Sequence, residues 1–391
     1  MKKVNVLLAI SVLVFVLVIG GCALWGGGTD EVEKYIIAFD QDQTAKVRTV
    51  QGLLDQSIKV LEQFSIIDAV LAELTPKQVK WIEKNLPVKY IEKDMIMGLP
   101  EPVEPEEPVN MLEDTEIGWE IKMINAQEAW KRSKGEGVLV GVIDTGVDAT
   151  HPDLAGAVVG GYNGLTDSDE GWADDNGHGT SVAGAIAGRL NGTGIVGIAP
   201  LANIFALKGL SASGYGSVSA LLRCFQKALA IECDMVNCSW GSGMESQAIS
   251  DAMQNLAAWQ GMGVVCAAGN SNKSPIIWPA RHPVAVCVTA VDTYGKKASF
   301  SSYGEAVKKN GVAAPGDWVL AAKMGGGTRR VSGTSIATPY VTGLLAITKA
   351  MHWPWRKWIF KGASQYETPD VYLGHGIIDA KKTIDAMTTG N

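Results

Sequence analysis

Clusters of basic residues are missing from this sequence of 391 residues, in which no run of lysine and arginine is longer than two. Only 19% of the residues are charged, and the formal net charge is −7 at pH 7. Lysine and arginine side chains are the main ligands of phosphate backbones, so a surface of this kind does not hold them. The sequence therefore gives no reason to expect nucleic acid as a partner.

The composition also lacks the signs of disorder for most of the chain. Hydrophobic residues make up 47%, and the 45 glycines follow no repeat. This composition is typical of a compact α/β protein. The length is large for one hydrophobic core and favours two or more folding units.

Long apolar runs are scarce, and the one at the N-terminus has a specific layout. Lys2 and Lys3 precede an apolar stretch at residues 4–19, which ends in two glycines before Cys22. A short positive region, an apolar region and small residues are typical of an export signal. The run is shorter than the roughly 20 apolar residues that span a bilayer. We interpret residues 1–21 as a signal peptide.

The end of this signal, Ile19-Gly20-Gly21-Cys22, resembles the bacterial lipobox. The resemblance implies that Cys22 carries the lipid and becomes the mature N-terminus, which attaches the chain to a membrane. Gly20 is a less typical residue at its position, and an ordinary unpaired cysteine is the alternative. The expected location is the cell envelope, with release of the larger domain to the outside as an open possibility.

Cysteine is too scarce for a disulfide-rich fold. Once Cys22 is lipidated an odd number remains, so at least one thiol stays free. Three of the others lie in apolar strand-like runs, where cysteine packs as a small hydrophobic residue, while Cys224 and Cys233 are the pair for which a disulfide stays open. The remaining cysteines are Cys224, Cys233, Cys238, Cys266 and Cys287.

The first half of the chain divides by composition. A polar spacer at 22–32 leads into a segment at 33–95 that has the pattern of a small α+β unit. We expect strands at 35–39 and 88–91 and helices at 50–64 and 77–85, the last after the helix-start signal Thr75-Pro76. Prolines and glutamates dominate 96–112, which predicts an extended linker.

The remainder, residues 113–391, alternates apolar strands with helices and predicts a mostly parallel sheet covered by helices on both faces. Strand-like runs at 138–143, 235–238 and 264–268 each lead into a polar turn. Ligands bind beside the carboxyl ends of strands in such sheets. We therefore expect Asp144 and Asn270 to face one pocket.

Two further polar residues stand at predicted helix starts. His178 lies between glycines, before a helix with many small residues. Ser335 precedes Pro339, and because proline is tolerated in the first turn of a helix, Ser335 is expected at the N-terminus of an apolar helix reaching about Met351. Free N–H groups and the helix dipole stabilise negative charge there.

These four residue types suit nucleophilic catalysis. A serine hydroxyl becomes a nucleophile when an imidazole accepts its proton, and a buried carboxylate fixes the tautomer of that imidazole. Ser335, His178 and Asp144 supply the three groups. Asn270 supplies a side-chain N–H for the oxyanion, beside the backbone N–H of Ser335.

The motifs around these residues resemble those of the subtilase family, peptidase S8, and occur in the order Asp, His, Ser known for subtilisins. Ile336 stands where methionine is usual, a swap of similar volume. The resemblance extends from about Ile117 to a closing segment that ends at Ala380. The motifs are Asp144-Thr145-Gly146-Val147-Asp148, His178-Gly179-Thr180-Ser181-Val182-Ala183-Gly184, Ala267-Ala268-Gly269-Asn270 and Gly333-Thr334-Ser335-Ile336-Ala337-Thr338-Pro339.

The resemblance implies a subtilisin-like fold and a serine endopeptidase that acts on extended polypeptides through an acyl-enzyme. It also implies a self-processing precursor, in which 33–95 is a propeptide that inhibits the enzyme and assists its folding. No cofactor is implied for catalysis. A stabilising calcium ion is implied at Asp153 and the loop beginning at Asn191, although this loop is about one residue short.

Substrate-binding positions also follow from the resemblance. No acidic residue lies near Ile277, at the floor of the specificity pocket, so an apolar or uncharged residue before the cut is expected. Residues 211–216 form the edge that pairs with substrate as an added strand. The implied positions are Ser239, Trp240, Gly241, Ala268 and Gly269 in the pocket wall, and Ser213 and Gly214 at the edge.

Two other functions stay open on the sequence alone. A protein with this fold but without activity would be a binding module. A metal-dependent hydrolase is the other, because carboxylates and imidazoles at short spacing bind divalent ions, but it leaves Ser335 and Asn270 without a role. The residues of such a metal cluster are Asp144, Asp148, His151, Asp153 and His178.

Overall fold

The computed structural model describes residues 31–40, 42–104, 116–352 and 355–389. The predicted signal peptide, Cys22 and the second half of the predicted linker lie outside these residues. Within them, every helix is too short or too polar to cross a bilayer.

The N-terminal part is a small α+β unit, as predicted. Its four strands form an antiparallel sheet in the order β2-β3-β1-β4. Thr75 caps the second helix, and Gln78 returns a bond to the Thr75 backbone, which satisfies free N–H groups at the helix start. The elements are β1 (Glu33–Phe39), α1 (Gln43–Asp55), β2 (Lys59–Phe64), β3 (Ala69–Leu74), α2 (Pro76–Asn85) and β4 (Val88–Lys93).

The helix predicted at 50–64 is wrong over its second half. The helix ends at Asp55, and Ser57 has a positive φ of 53° where the chain turns into β2. A bulge between Val60 and Glu62 shifts the register of β2 against β3. The extra residue interrupts the alternation of a strand, so the apolar spacing is similar to that of a helix.

The larger part is built on a seven-stranded parallel sheet in the order β13-β12-β11-β10-β6-β8-β7, and two antiparallel pairs, β5 with β9 and β14 with β15, lie outside it. The strands are β5 (Ile96–Gly98), β6 (Leu139–Asp144), β7 (Val158–Asn163), β8 (Asn203–Lys208), β9 (Tyr215–Ser217), β10 (Met235–Cys238), β11 (Gly263–Ala267), β12 (Val286–Val291), β13 (Gly311–Pro315), β14 (Val319–Ala322) and β15 (Thr328–Val331). The helices are α3 (Trp119–Met123), α4 (Ala126–Ala129), α5 (His178–Ala187), α6 (Val218–Ala230), α7 (Gln247–Gln260), α8 (Glu305–Asn310), α9 (Thr334–Ala350), α10 (Trp355–Gly362) and α11 (Ala380–Thr389).

Apolar side chains cover both faces of the large sheet, which confirms the predicted class. Within β11, Val265 belongs to the core shared with α5 and α9, whereas Val264 and Cys266 belong to the core shared with α6 and α7. Alternating side chains of one strand thus enter two different cores, the arrangement of a parallel sheet between two helix layers.

The five cysteines of the described residues are all buried and all free. The disulfide left open between Cys224 and Cys233 does not form. Burial raises the pKa of each of these two thiols to about 12, so both stay protonated and unreactive near neutral pH.

Strands β6, β10 and β11 are neighbours, and their carboxyl ends meet at one edge of the sheet. Asp144 ends β6, and Asn270 follows β11 by three residues. The expected crevice therefore lies at this edge.

Candidate active site

Asp144 and His178 are joined by a direct hydrogen bond. His178 is the first residue of α5, and its Nδ1 lies 2.8 Å from Oδ1 of Asp144. The same oxygen accepts the N–H of Thr145 at 2.8 Å, and the Asp144 side chain is fully buried. With Nδ1 as the donor, the Nε2 lone pair of the neutral ring is free to accept a proton.

Asp174 fixes the turn that carries His178, a role that the sequence reasoning missed. One of its carboxylate oxygens accepts the Thr145 hydroxyl at 2.8 Å and the Gly177 N–H at 2.9 Å. The other accepts the N–H of Thr180 at 2.9 Å. An acidic residue just before a helix start is the signal that identifies such a group, since free N–H groups face it.

Gly179 lets the start of α5 lie directly on the turn after Asp144. A Cβ at this position would lie 2.0 Å from the carbonyl oxygen of Gly146. No side chain fits there, so glycine after His178 is required by the close approach of the two backbones.

Ser335 is the second residue of α9, at the predicted helix N-terminus, but Pro339 lies inside the helix and beyond its first turn. Proline has no N–H for the carbonyl oxygen four residues earlier, which here belongs to Ser335. The hydroxyl of Ser239 donates to that oxygen at 2.8 Å. Ser239 thus replaces the missing helix bond and holds the backbone of Ser335.

Asn270 is oriented by Thr334. Its side-chain oxygen accepts the N–H of Thr334 at 2.9 Å and the hydroxyl of Thr334 at 2.8 Å, which turns Nδ2 toward the cleft. A Cβ at Gly333 would lie 3.0 Å from Ser335 Oγ and 3.3 Å from Asn270 Nδ2. The hydroxyl and the amide donor therefore border the same small space.

His178 Nε2 is buried and has no hydrogen-bond partner among the described residues. Ser335 is only 5% exposed. The ring nitrogen is thus available to exchange a proton with a group in the cleft, and catalytic hydrogen bonds of this kind often tighten only when substrate is bound.

The first part of the predicted linker lies in the cleft as a paired strand. β5 pairs with β9, and Gly98 exchanges two backbone hydrogen bonds with Gly241, of 3.1 and 2.8 Å. The N–H of Leu99 donates to the carbonyl oxygen of Gly214 at 3.0 Å. Further along, Asn270 Nδ2 donates to the carbonyl oxygen of Glu101 at 2.9 Å. The chain's own segment 96–101 therefore has the backbone contacts of an added strand.

The predicted pocket residues fall into two groups. Gly241 and Gly269 both pack on Ile277, since a Cβ at either would lie within 3 Å of its side chain, and Ala268 accepts the Ile277 N–H at 3.0 Å. In contrast, the Trp240 ring is buried in the core, where Nε1 donates to the carbonyl oxygen of Ile143. The side chains of Trp240 and Ser239 therefore stabilise the fold by bonding backbone carbonyl oxygens.

At the opposite edge, Gly214 has a positive φ of 81° and presents its carbonyl oxygen to Leu99. Ser213 is exposed, and its hydroxyl lies 2.9 Å from that of Ser211. Gly214 thus contacts the segment in the cleft through its backbone, whereas the Ser213 side chain stabilises the turn.

The residues named for calcium do not have the arrangement that this ion requires. Calcium binds six to eight oxygen ligands. Both oxygens of Asp153 instead accept hydrogen bonds from the loop, from Asn191 Nδ2 at 3.2 Å and from the N–H of Ile195 at 2.9 Å. The side-chain oxygen of Asn191 accepts the N–H and the hydroxyl of Thr193, both at 3.0 Å. The side-chain oxygens assigned to calcium are therefore already engaged by N–H and O–H donors of the loop.

The alternative metal cluster is not assembled either. Within the described ranges, no group of three or more His, Cys, Asp and Glu side chains is placed to hold a metal ion. His151 Nε2 lies 2.8 Å from the carbonyl oxygen of Gly327, and its Nδ1 accepts the N–H of Asp153. The His151 ring therefore connects its own loop with the loop that contains Gly327.

Known proteins are similar to this chain in both sequence and fold. The sequence model of the subtilase family, peptidase S8, matches residues 135–368. The chain is similar to a thermostable alkaline protease of Halalkalibacterium halodurans, with 33% identity over 358 residues that cover 90% of this chain and 92% of the relative. It is also similar to subtilisin E of Bacillus subtilis, with 30% identity over 392 residues that cover 98% and 97% of the two chains.

Among solved structures, the chain resembles fervidolysin from Fervidobacterium pennivorans, a keratinolytic enzyme related to subtilisin. The TM-score is 0.77 at 26% identity, and the match covers 93% of this chain. It covers 62% of the fervidolysin chain, so this chain spans less than two thirds of that protein.

Proposed function

The chain belongs to the subtilase family and is a subtilisin-like serine endopeptidase, and from this premise we propose that Asp144, His178 and Ser335 are its triad and that it matures from an exported, self-inhibited precursor. The observation that carries the triad is the 2.8 Å bond between His178 Nδ1 and buried Asp144. The helix-terminal position of Ser335 beside Asn270 supports it.

In the proposed reaction, His178 Nε2 accepts the hydroxyl proton of Ser335 as Oγ attacks the substrate carbonyl carbon. Asp144 stabilises the imidazolium that forms. The oxyanion receives hydrogen bonds from Asn270 Nδ2 and the backbone N–H of Ser335. His178 then donates its proton to the leaving nitrogen, and the acyl-enzyme remains. Water, deprotonated by the same ring, hydrolyses the ester and returns Ser335 to its starting form.

We assign 33–95 as the inhibitory propeptide, and two of its carboxylates support this. Asp94 accepts the N–H and the hydroxyl of Ser219 at the start of α6, at 2.8 and 2.7 Å. Glu92 accepts the Ser246 hydroxyl and the Gln247 N–H at the start of α7. Negative charge at two helix N-termini stabilises the docked state. It also directs the following segment, 96–101, into the cleft.

Export as a lipoprotein is the second part of the proposal. If Cys22 carries the lipid and the linker within 95–114 is cut, the lipid stays with the propeptide and the catalytic domain, 113–391, loses its covalent anchor. Retention at the membrane then depends on how long the propeptide complex persists. Cell fractionation with separate detection of the two fragments tests this. Processed catalytic domain that stays in membranes after its propeptide has been removed contradicts it.

The substrate class follows from the cleft. Backbone pairing of the kind made by Gly98 and Leu99 requires an extended chain, so unfolded polypeptide is the expected substrate. The pocket is lined by Ile277, an apolar residue that has no carboxylate to pair with a basic side chain. An apolar or uncharged side chain before the cut is therefore favoured over lysine or arginine.

The test of this function is the variant Ser335→Ala, expressed in a host that lacks other extracellular proteases. Without the hydroxyl no acyl-enzyme forms, so both hydrolysis of a denatured protein and self-processing should be lost. Ser299→Ala, in an exposed loop, is the matched control and should process normally. A fully processed Ser335→Ala chain would refute the assignment.

A further inference from the structure

We propose that the loop at 189–195, where relatives of this fold are expected to hold calcium, is closed in this chain by protein groups alone, so that its stability does not depend on calcium. The groups are Glu116, Asp153 and Arg189, here called the clasp. The inference concerns the stability of the folded chain and is tested in an inactive variant, so it does not rest on the proposed function.

Asp153 is the centre of the clasp. It is 2% exposed, and its two oxygens are engaged by Asn191 Nδ2 and the Ile195 N–H. The loop backbone touches the carboxylate, because a Cβ at Gly194 would lie 2.1 Å from its Oδ2. A calcium ion keeps its ligands at 2.3–2.6 Å, so it would have to separate these groups and reverse the peptide that presents the Ile195 N–H.

Glu116 closes the other side of the loop. Its Oε1 accepts the backbone N–H groups of Asn191 and Gly192, each at 2.7 Å. Consecutive N–H groups directed at one carboxylate form an anion-binding turn. Four N–H donors of this loop therefore face two carboxylates, whereas a calcium loop directs carbonyl oxygens inward.

Arg189 ties the start of the loop to neighbouring segments. Its Nη1 donates to the oxygens of Pro200 and Ala202 at 2.6 and 2.9 Å, and its Nη2 donates to that of Gly156 at 2.5 Å. The Arg189 N–H also donates to the backbone oxygen of Asp153 at 2.7 Å. The charged guanidinium thus joins the start of the loop to three carbonyl oxygens of neighbouring segments.

The first experiment measures the need for calcium directly. The full chain carrying Ser335→Ala, which removes autolysis, is heated in millimolar calcium and in excess EGTA. We expect the two melting temperatures to agree within about 1 °C, since a ligand that does not bind the native state cannot stabilise it. A melting temperature that falls by several degrees in EGTA and recovers with calcium would overturn the proposal.

The second experiment tests the clasp itself in the same background. Glu116→Gln keeps the shape and removes the charge that accepts two N–H bonds, so a melting temperature lower by a few degrees is expected in both buffers. Glu128→Gln, an exposed residue paired with Lys131, is the control and should change little. An unchanged melting temperature for Glu116→Gln would contradict the clasp.

Terbium, a luminescent calcium substitute, keeps the proposal testable if a variant does not fold. We expect the Ser335→Ala chain to show no sensitised emission at micromolar terbium. Saturable emission that calcium competes away, and that Asp153→Asn abolishes, would show a calcium site and refute the proposal.

Discussion

At the scale of single residues, Asn270 uses both ends of its amide: the oxygen is held by Thr334, and the nitrogen is directed into the cleft. Asn270→Ala should leave the fold intact and lower kcat about 100- to 1,000-fold, a scale known from subtilisin itself and not obtained from this structure. Asn270→Asp keeps the acceptor for Thr334 but places a negative oxygen near the oxyanion, so its loss should be at least as large. Unchanged turnover in steady-state assays of both variants would reject the oxyanion role.

Glu120 gives a prediction for pH. It is 3% exposed, its Oε2 has no partner within the described part of the chain, and burial raises its pKa to about 7. Between the ordinary value of 4.5 and about 7 the folded state holds a proton that the unfolded state releases. The free energy of unfolding should therefore fall as pH rises through this window, by up to about 1.4 kcal/mol per pH unit.

The variant Glu120→Gln, which has no titrating group, should lack this slope. Urea unfolding at pH 5, 6 and 7 of Ser335→Ala chains with and without Glu120→Gln measures the difference. Parallel pH profiles for the two chains would show that Glu120 is ionised in the folded state.

The motif residues Asp144, His178, Asn270 and Ser335 were predictable because each stands in a short stretch of sequence with its own chemical signature. The position of Asp174 just before α5 marks it as a candidate helix cap, but the sequence does not identify Thr145 as its partner. The bond from the Ser239 hydroxyl to the backbone of Ser335 was likewise not predictable. Both contacts depend on how distant turns come together. The same limit applies to Trp240. It lies next to pocket residues in the sequence, but its ring is buried in the core.

At the scale of elements, α9 has to tolerate a proline that the sequence pattern placed in the first turn. The Ser239 hydroxyl compensates by bonding the carbonyl oxygen of Ser335. Ser239→Ala should lower the free energy of unfolding by about 1–3 kcal/mol, because a buried carbonyl loses its donor.

Adding Pro339→Ala restores a backbone N–H to the helix, so the same Ser239→Ala change should cost about 1 kcal/mol less in that background. A double-mutant cycle by urea unfolding measures this coupling. Equal costs in the two backgrounds would show that Ser239 does not replace the missing helix bond.

The cleft segment makes a prediction about maturation. Asn270 bonds the carbonyl of Glu101, which belongs to the Glu101–Pro102 bond. Proline carries a ring carbon in place of the amide hydrogen and has a fixed φ, so the leaving nitrogen is crowded where His178 must approach. Pro102→Ala should therefore speed cleavage after Glu101 severalfold, measured by intact mass over time, with Pro87→Ala in the N-terminal α+β unit as a control.

If the unchanged chain is cut rapidly after Glu101, proline does not protect this bond. The strand at 96–98 was itself unexpected, because the composition of 96–112 predicted an unpaired linker. The composition of 96–112 indicates that this segment has no core of its own. It does not indicate that the strand Tyr215–Ser217 of the larger unit has a free edge with which residues 96–98 pair.

At the scale of the whole molecule, the two folding units meet through apolar and charged contacts. Apolar side chains of β1 and β3 share one buried cluster with those of α6 and α7. Arg223 of α6 binds both carboxylate oxygens of Glu62, and Lys89 pairs with Asp251 at 2.5 Å. Such contacts are only partly buried and are weakened by salt. Salt should therefore weaken only part of the contact between the two units, and the buried apolar part should hold them together after a cut in the linker.

The small α+β region and the parallel sheet followed from patterns that extend over many residues, and the structure confirms both. The calcium loop illustrates the opposite case. Its sequence resembles a known calcium loop, but only the folded geometry reveals that Asn191 Nδ2 and the Ile195 N–H donate to Asp153.

The most direct test of the account is to find which atom of the processed chain reacts with a fluorophosphonate. After labelling and digestion, peptide mass spectrometry should locate one adduct, on Ser335, and hydrolysis of denatured casein should fall in proportion to the labelled fraction. His178→Ala, which removes the proton acceptor, should prevent labelling. Full hydrolytic activity in a chain whose Ser335 is completely labelled, or an adduct on another residue that accounts for the loss, would contradict the proposed triad.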